Sequence, residues 1–282
     1  MRPTPVHPEP PVTDSVAAGA ALVTAGVPAG AVLVRGLDVG PTPPTPAVMT
    51  PPGTGPSERM LLDAATTLGT AVGYVQEHGG HTVQNIYPLA DSVGEQISTS
   101  SDVTLAFHTE TAFHPHKSRF LLLLCRRGDP GAATTLCSWD AIAPHLDPRT
   151  RAALAQPRFR IGVDRSFGES DGWTTRAMPL VATGADGRVE FTYDGELTEG
   201  LDAGARAALA EVAAVIGAAH TEVVLETGDL LMVDNRRAVH GRSTFRARFD
   251  GSDRWLQRTF VLDSLAGITD RTGAVITTRF AA

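Results

Sequence analysis

The sequence predicts a mainly β domain with covering helices, a β-sandwich or jelly roll, from three observations. Short apolar runs framed by Gly, Pro and charged residues recur at 31–37, 120–126, 132–136, 158–163, 189–193, 230–233 and Trp255–Leu262, and runs of that length read as strands. Helical periodicity is confined to a few stretches, so strands do not alternate with helices as a parallel βαβ array requires. The chain has 282 residues, enough for one large all-β or mixed domain.

Taken in order, residues 1–13 are proline-rich and read as a flexible N-terminal tail; they lack the basic and then apolar pattern of a secretory signal. Asp14 is an N-cap candidate for an apolar helical stretch to Ala25, which Gly26 and Pro28 stop before the strand over 31–37. Residues 41–56 repeat Pro and Thr with Gly53 and Gly55, a composition expected of a surface loop inside the domain. Ser57 followed by Met60, Leu61, Ala64 and Leu68 predicts a capped amphipathic helix ending near Gly73. Residues 74–101 read as short irregular strands with turns. The run 120–126 is expected as a buried strand, with 132–136 pairing nearby, and 201–219 as an alanine-rich helix. There is no internal repeat, and the reading is one domain over 1–282.

The net charge of −7 offers no general attraction to nucleic acid or an anionic membrane, and no apolar stretch approaches the roughly 20 residues of a membrane helix. Cys125 and Cys137 are too few for a disulfide framework and fit a reducing cytoplasm. Glycine-rich phosphate loops are absent. A small-molecule substrate is the expected partner.

The segment Leu105-Ala106-Phe107-His108-Thr109-Glu110 places an imidazole and a carboxylate at i and i+2, which leave the same face of an extended chain. His240 lies downstream, where the run 230–233 gives way to a polar turn. Two imidazoles and a carboxylate would take one face of an octahedral ion and leave three adjacent positions open, as in non-haem iron(II) oxygenases; structural zinc would take four protein ligands. His-X-Glu alone is a weak signal that surface or core groups also satisfy. Arg254 and Arg258 follow His240 by 14 and 18 positions, and in a strand they share a face with Leu256 while Trp255 and Gln257 face away. Arginines in an apolar strand are costly to bury without anions, and guanidinium grips carboxylates bidentately. One could hold a co-substrate carboxylate and the other a substrate carboxylate; the alternative is two solvated arginines on an exposed face.

The octapeptide His108-Thr109-Glu110-Thr111-Ala112-Phe113-His114-Pro115 resembles the metal motif of the clavaminate synthase-like iron(II)/2-oxoglutarate oxygenases, within the taurine dioxygenase superfamily, which include asparagine and arginine β-hydroxylases. The likeness extends from Ala31-Val32-Leu33-Val34-Arg35-Gly36-Leu37 through Gln84-Asn85-Ile86-Tyr87-Pro88 to Arg258. It implies a double-stranded β-helix, the family's jelly-roll core. It also implies roles: His108, Glu110 and His240 as iron ligands, Arg254 with Thr135 for the 2-oxoglutarate carboxylate, and Arg258 for a substrate carboxylate. Asp194 would sit on a lid reaching the substrate's polar end, beside its plainer reading as a turn aspartate next to Gly195. Glu77 and Ser98 match positions near the α-amino group or backbone of an amino-acid substrate, and His78, His81 and His114 are expected in ordinary polar roles. Arginine hydroxylases of the group resemble one another in carrying two lid acids; Thr192 at one such position turns the expectation toward another polar amino acid.

The resemblance thus implies an oxygenase using Fe(II), 2-oxoglutarate and dioxygen to hydroxylate an unactivated carbon, the β-carbon, of a free polar L-amino acid or derivative, in specialised-metabolite (antibiotic) biosynthesis. Glu110 favours hydroxylation over halogenation, since related halogenases carry a small residue there that leaves room for chloride. Desaturation or cyclisation at the same site stays open. From other classes, a cupin-like metal enzyme without 2-oxoglutarate is opposed by Arg254, and a non-catalytic ligand-binding relative by the complete ligand set.

Overall fold

The long apolar runs form the centre of the larger of the two main sheets; two further two-stranded ribbons lie outside them. Phe120–Arg127 pairs antiparallel with both Leu230–Asp234 and Trp255–Leu262, and Ala31–Val34, Thr70–Tyr74 and Gln84–Ile86 extend the sheet on either side. Ala31–Val34 and the apolar stretches of Phe120–Arg127 and Leu230–Asp234 are continuous runs because both faces are covered. Leu121, Leu123 and Cys125 face the core between the sheets with Leu231 and Val233, whereas Phe120, Leu122 and Leu124 lie under the helices Val16–Ala25 and Pro56–Thr66. The smaller antiparallel sheet runs Thr221–Val224, Ala133–Ser138, Ala238–Arg242, Leu105–His108 and closes a jelly roll. Helix Ala203–Ala219 adds Ala205, Ala208, Val212, Ile216 and Ala219, at helical spacing, to the same core.

The computed structural model describes residues 6–168 and 172–280. Over its described part, the expected tail 1–13 is not free of the body. Val12–Thr13 pairs parallel with Leu33 and Val34, and buried His7 accepts at Nε2 from the Ser138 N–H at 2.9 Å. Ser15, not Asp14, caps the first helix, accepting from Ala18 N. Gly55, not Ser57, is the cap of Pro56–Thr66, with Pro56 in the first turn, and the helix stops well before Gly73. Gly69 runs so close to Leu262 that a Cβ there would lie 2.2 Å from its carbonyl oxygen; the chain turns at once into Thr70–Tyr74. Residues 132–136 do not pair with 120–126. Asp129 caps a tight turn through Gly131 N, and the chain crosses into the other sheet. Among the described residues no helix is long and apolar enough to cross a membrane.

Candidate active site

His108 ends the strand Leu105–His108, and His240 lies on Ala238–Arg242 as its direct cross-strand partner. This puts the two imidazoles side by side, ring centroids 4.3 Å apart. The expected polar turn before His240 is shorter than the sequence indicates, because Ala238 and Val239 are already in the strand. Glu110 lies just past the strand end, its Oε2 3.9 Å from His108 Nε2 and 3.4 Å from His240 Nε2. One donor atom from each of the three residues falls within a mutual 4.8 Å.

Neighbouring groups hold this arrangement. His108 Nδ1 lies 2.8 Å from the Ala106 carbonyl; donation there leaves Nε2 as the free ligand atom. Asn235, fully buried in the turn before His240, clamps the backbone of Glu110: its Oδ1 accepts from Glu110 N at 2.7 Å and its Nδ2 donates to Glu110 O at 3.0 Å. Thr111 adopts a left-handed φ of 51°, unusual for a β-branched residue, at the bend that aims Glu110 inward. Burial opposes ionisation of Glu110, but Arg258, His108 and His240 outweigh it and hold its carboxyl well below the usual range. Burial works to lower His108, yet Glu110 and Asp194 push it up to about 9; burial and the His108 charge push His240 down to about 4. Two imidazoles sharing one carboxylate in a buried cluster suit a divalent ion of oxygen- and nitrogen-ligand preference.

The cavity above these residues measures about 440 Å³. Arg254, Leu256 and Arg258 all line it, while Trp255 and Gln257 point away onto Asn85 and Glu58, as strand alternation predicts. Arg258 is tied on three sides: Nε donates to Gln84 Oε1 at 2.6 Å, Nη1 to Glu110 at 3.3 Å, and Nη2 to Glu77 in a buried ion pair. Burial pushes Glu77 up to about 7 against the pull of Arg258, and its Oε2 has no hydrogen-bond partner. Arg254 is buried with Nη2 donating to Thr134 Oγ1 at 3.0 Å and no carboxylate paired with it among the described residues. A buried guanidinium without an anion, beside a ligand trio, fits a dicarboxylate co-substrate.

The structure brings His108, Glu110, His240, Arg254, Arg258, Asp194, Glu77 and Ser98 to this one cavity. Thr135 is the exception. Alternation turns it away from the cavity, and Thr134 takes the position beside Arg254. Asp194 also satisfies its plainer reading: its Oδ1 accepts from Glu196 N and Leu197 N at 2.9 Å each. Thr192 does not line the cavity; its hydroxyl accepts from Lys117. His78 and His81 line a separate, smaller cavity, and His114 packs against Tyr74 and Phe280. Sequence reasoning missed Asn235, Arg242, Asp164 and Glu196. The Asp-Asn pair at the polar turn and the arginine two beyond His240 were the available signals for the first two.

A jelly roll carrying two histidines and a carboxylate at a buried cavity, with a buried guanidinium on the same cavity that is paired with no carboxylate among the described residues, defines a class: non-haem iron oxygenases with a 2-oxo acid co-substrate. The chain belongs to the TauD/TfdA family of taurine catabolism dioxygenases, whose model matches residues 19–260. It is 36% identical over 241 residues to L-lysine 3-hydroxylase of Catenulispora acidiphila, covering 83% of this chain and 67% of the relative. It is likewise 36% identical over 250 residues to L-asparagine oxygenase of Streptomyces coelicolor, covering 84% and 72%. A crystal structure of asparagine oxygenase with Fe(II), 2S,3S-3-hydroxyasparagine and succinate superimposes with a TM-score of 0.87 at 33% identity, covering 93% of this chain and 84% of that one. The chain is an Fe(II)- and 2-oxoglutarate-dependent oxygenase.

Proposed function

We propose that the chain hydroxylates the β-carbon of a free polar L-amino acid or a close derivative, as one domain working in the cytoplasm in specialised-metabolite biosynthesis. His108, Glu110 and His240 hold the iron. Arg254 and Thr134 take the distal carboxylate of 2-oxoglutarate, and Arg258 and Glu77 take the substrate's α-carboxylate and α-ammonium. One observation carries the reading: two buried guanidiniums lie four residues apart on one cavity wall, one without an anion and the other paired with a glutamate whose second oxygen is unpartnered. A zwitterion entering beside Arg258 and Glu77 meets a complementary charge at each end. Beyond them Asp164, Asp194 and Glu196 line the cavity, which favours a side chain bearing N–H donors or a positive charge. The likeness to lysine and asparagine oxygenases supports the same substrate class. Free, buried Cys125 and Cys137 accord with a reducing compartment.

Bound iron with 2-oxoglutarate and dioxygen supplies the oxidant for an unactivated C–H bond. The chain's part is to fix that bond near the metal face and exclude water, through the Arg258–Glu77 pair at one end and the Asp194 turn at the other. Iron(II) and 2-oxoglutarate added without oxygen should give their weak visible absorption band, and His108→Ala should abolish it. Succinate formation across asparagine, arginine, citrulline, ornithine and lysine then identifies the substrate, with a product one oxygen atom heavier. Turnover only of carrier-bound or non-amino-acid substrates would overturn the substrate assignment.

A further inference from the structure

A second guanidinium stands at the Arg254 end of the cavity. Arg242 follows His240 by two on the Ala238–Arg242 strand, leaves the same face, and lines the same cavity as Arg254. Its cross-strand partner is Thr134, whose hydroxyl accepts from Arg254. Arg242 is buried, and backbone carbonyls hold its three nitrogens: Ser243 O at 3.3 Å from Nε, Ser98 O at 3.2 Å from Nη1 and Val103 O at 2.9 Å from Nη2. Phe245 lies 5.3 Å beneath it. Neutral carbonyls fix the group without cancelling its charge, and among the described residues no carboxylate is paired with Arg242 or Arg254. Asp102, which acts on Arg242 at longer range, is exposed and already accepts from Gly94 N and Ser100 Oγ. Both guanidiniums are cationic at neutral pH. Two cations lining one buried cavity without a directly paired carboxylate repel each other, and a bound anion would relieve that repulsion.

We propose that Arg242 is a second cationic anchor for the distal carboxylate of 2-oxoglutarate, acting by charge while its hydrogen bonds hold the wall that carries Ser98. The inference rests on the reading of Arg254 given above. A dianion gains from both arginines, whereas 2-oxopentanoate, with the same 2-oxo acid head and an uncharged tail, gains from neither. The site's preference for the dianion is therefore shared between Arg254 and Arg242.

The test is calorimetric binding of 2-oxoglutarate and 2-oxopentanoate to the iron(II)-loaded protein without oxygen, for the natural chain, Arg242→Gln, Arg242→Lys and Arg254→Gln. Arg242→Gln should weaken 2-oxoglutarate about tenfold and 2-oxopentanoate by less than about twofold. Arg242→Lys keeps the charge but cannot span three carbonyls, and should keep the preference within about threefold of the natural chain. Equal weakening of both acids by Arg242→Gln, or loss of the preference in Arg242→Lys, would reduce Arg242 to a tether and overturn the inference; if Arg242→Gln does not fold, the lysine variant decides. A natural chain with no preference for the dianion would sink the reading of Arg254 and this inference with it. A preference that Arg254→Gln removes and Arg242→Gln leaves intact would sink the inference alone.

Discussion

Thr134 and Thr135 differ by one position and by a whole face of a strand. Thr134 Oγ1 accepts from Arg254, whereas buried Thr135 Oγ1 has no partner. Thr134→Val should raise the KM for 2-oxoglutarate about tenfold or more, the effect of losing a hydrogen bond to a charged group. Thr135→Val should leave that KM within about twofold and the Tm unchanged or higher, since a methyl replaces an unpaired buried hydroxyl; steady-state kinetics and thermal unfolding check both. The sequence Ala133-Thr134-Thr135 offers a hydroxyl on either face, so parity was not legible without the pairing register. Asn235 was hidden for a different reason: its partner Glu110 is 125 residues away. Asn235→Asp keeps the acceptor, loses the donors to Glu110 O and Ser118 O, and adds a negative charge. Iron affinity is expected to fall about 10–100-fold in a folded protein, as a metal titration beside circular dichroism would show. The ligand trio itself was legible because two of its members sit in one octapeptide.

The strands that could be read in advance are those built around an apolar run, both the long Phe120–Arg127 and Trp255–Leu262 and short ones such as Ala31–Val34 and Leu230–Asp234. Thr70–Tyr74, Thr221–Val224 and Ala238–Arg242 escaped because they are short, mix Gly, Thr or charged residues with apolar ones, and are defined by their neighbours. Gly241 shows how tight that neighbourhood is: an added Cβ would lie 2.4 Å from Leu105 O and 2.9 Å from Thr135 Oγ1. Gly241→Ala should cost about 1–3 kcal/mol in denaturant unfolding and lower iron affinity, by prising the two histidine strands apart. A stable variant with full affinity would show that the strands can spread freely. The turn before His240 carries a pH signature. Burial pushes Asp234 up to about 6 from 3.8 against its Arg236 N–H donor, Arg119 and Arg237. The folded state therefore holds that proton more tightly than the unfolded chain, so stability falls as pH rises between those values and the ionisation penalty is complete above about 6. Asp234→Asn should raise the Tm at pH 8 and lose that advantage near pH 4; an equal gain at both would assign it to packing instead.

At the scale of the molecule, jelly-roll architecture was legible from strand length and spacing, but the division of the strands between two sheets was not. Residues 132–136 read as a neighbour of 120–126 and instead belong across the core, since nothing local records which sheet a short strand joins. Because the site draws on both sheets, ligands that fill it stabilise the whole chain. Iron(II) with N-oxalylglycine at about 100 times its Kd should add about 2.7 kcal/mol and raise the Tm by about 5–10 °C, and a chelator should reverse the shift. A change confined to a minor transition would mean that the two sheets unfold separately. The cross-strand pairing of His108 with His240 has a topological consequence. An ion gripped by both is a removable clasp on a loop that encloses nearly half the polypeptide, and in the unfolded chain no such grip exists. Losing the metal and losing the fold then become linked events, and the enzyme can resist a protease in proportion to the iron it holds.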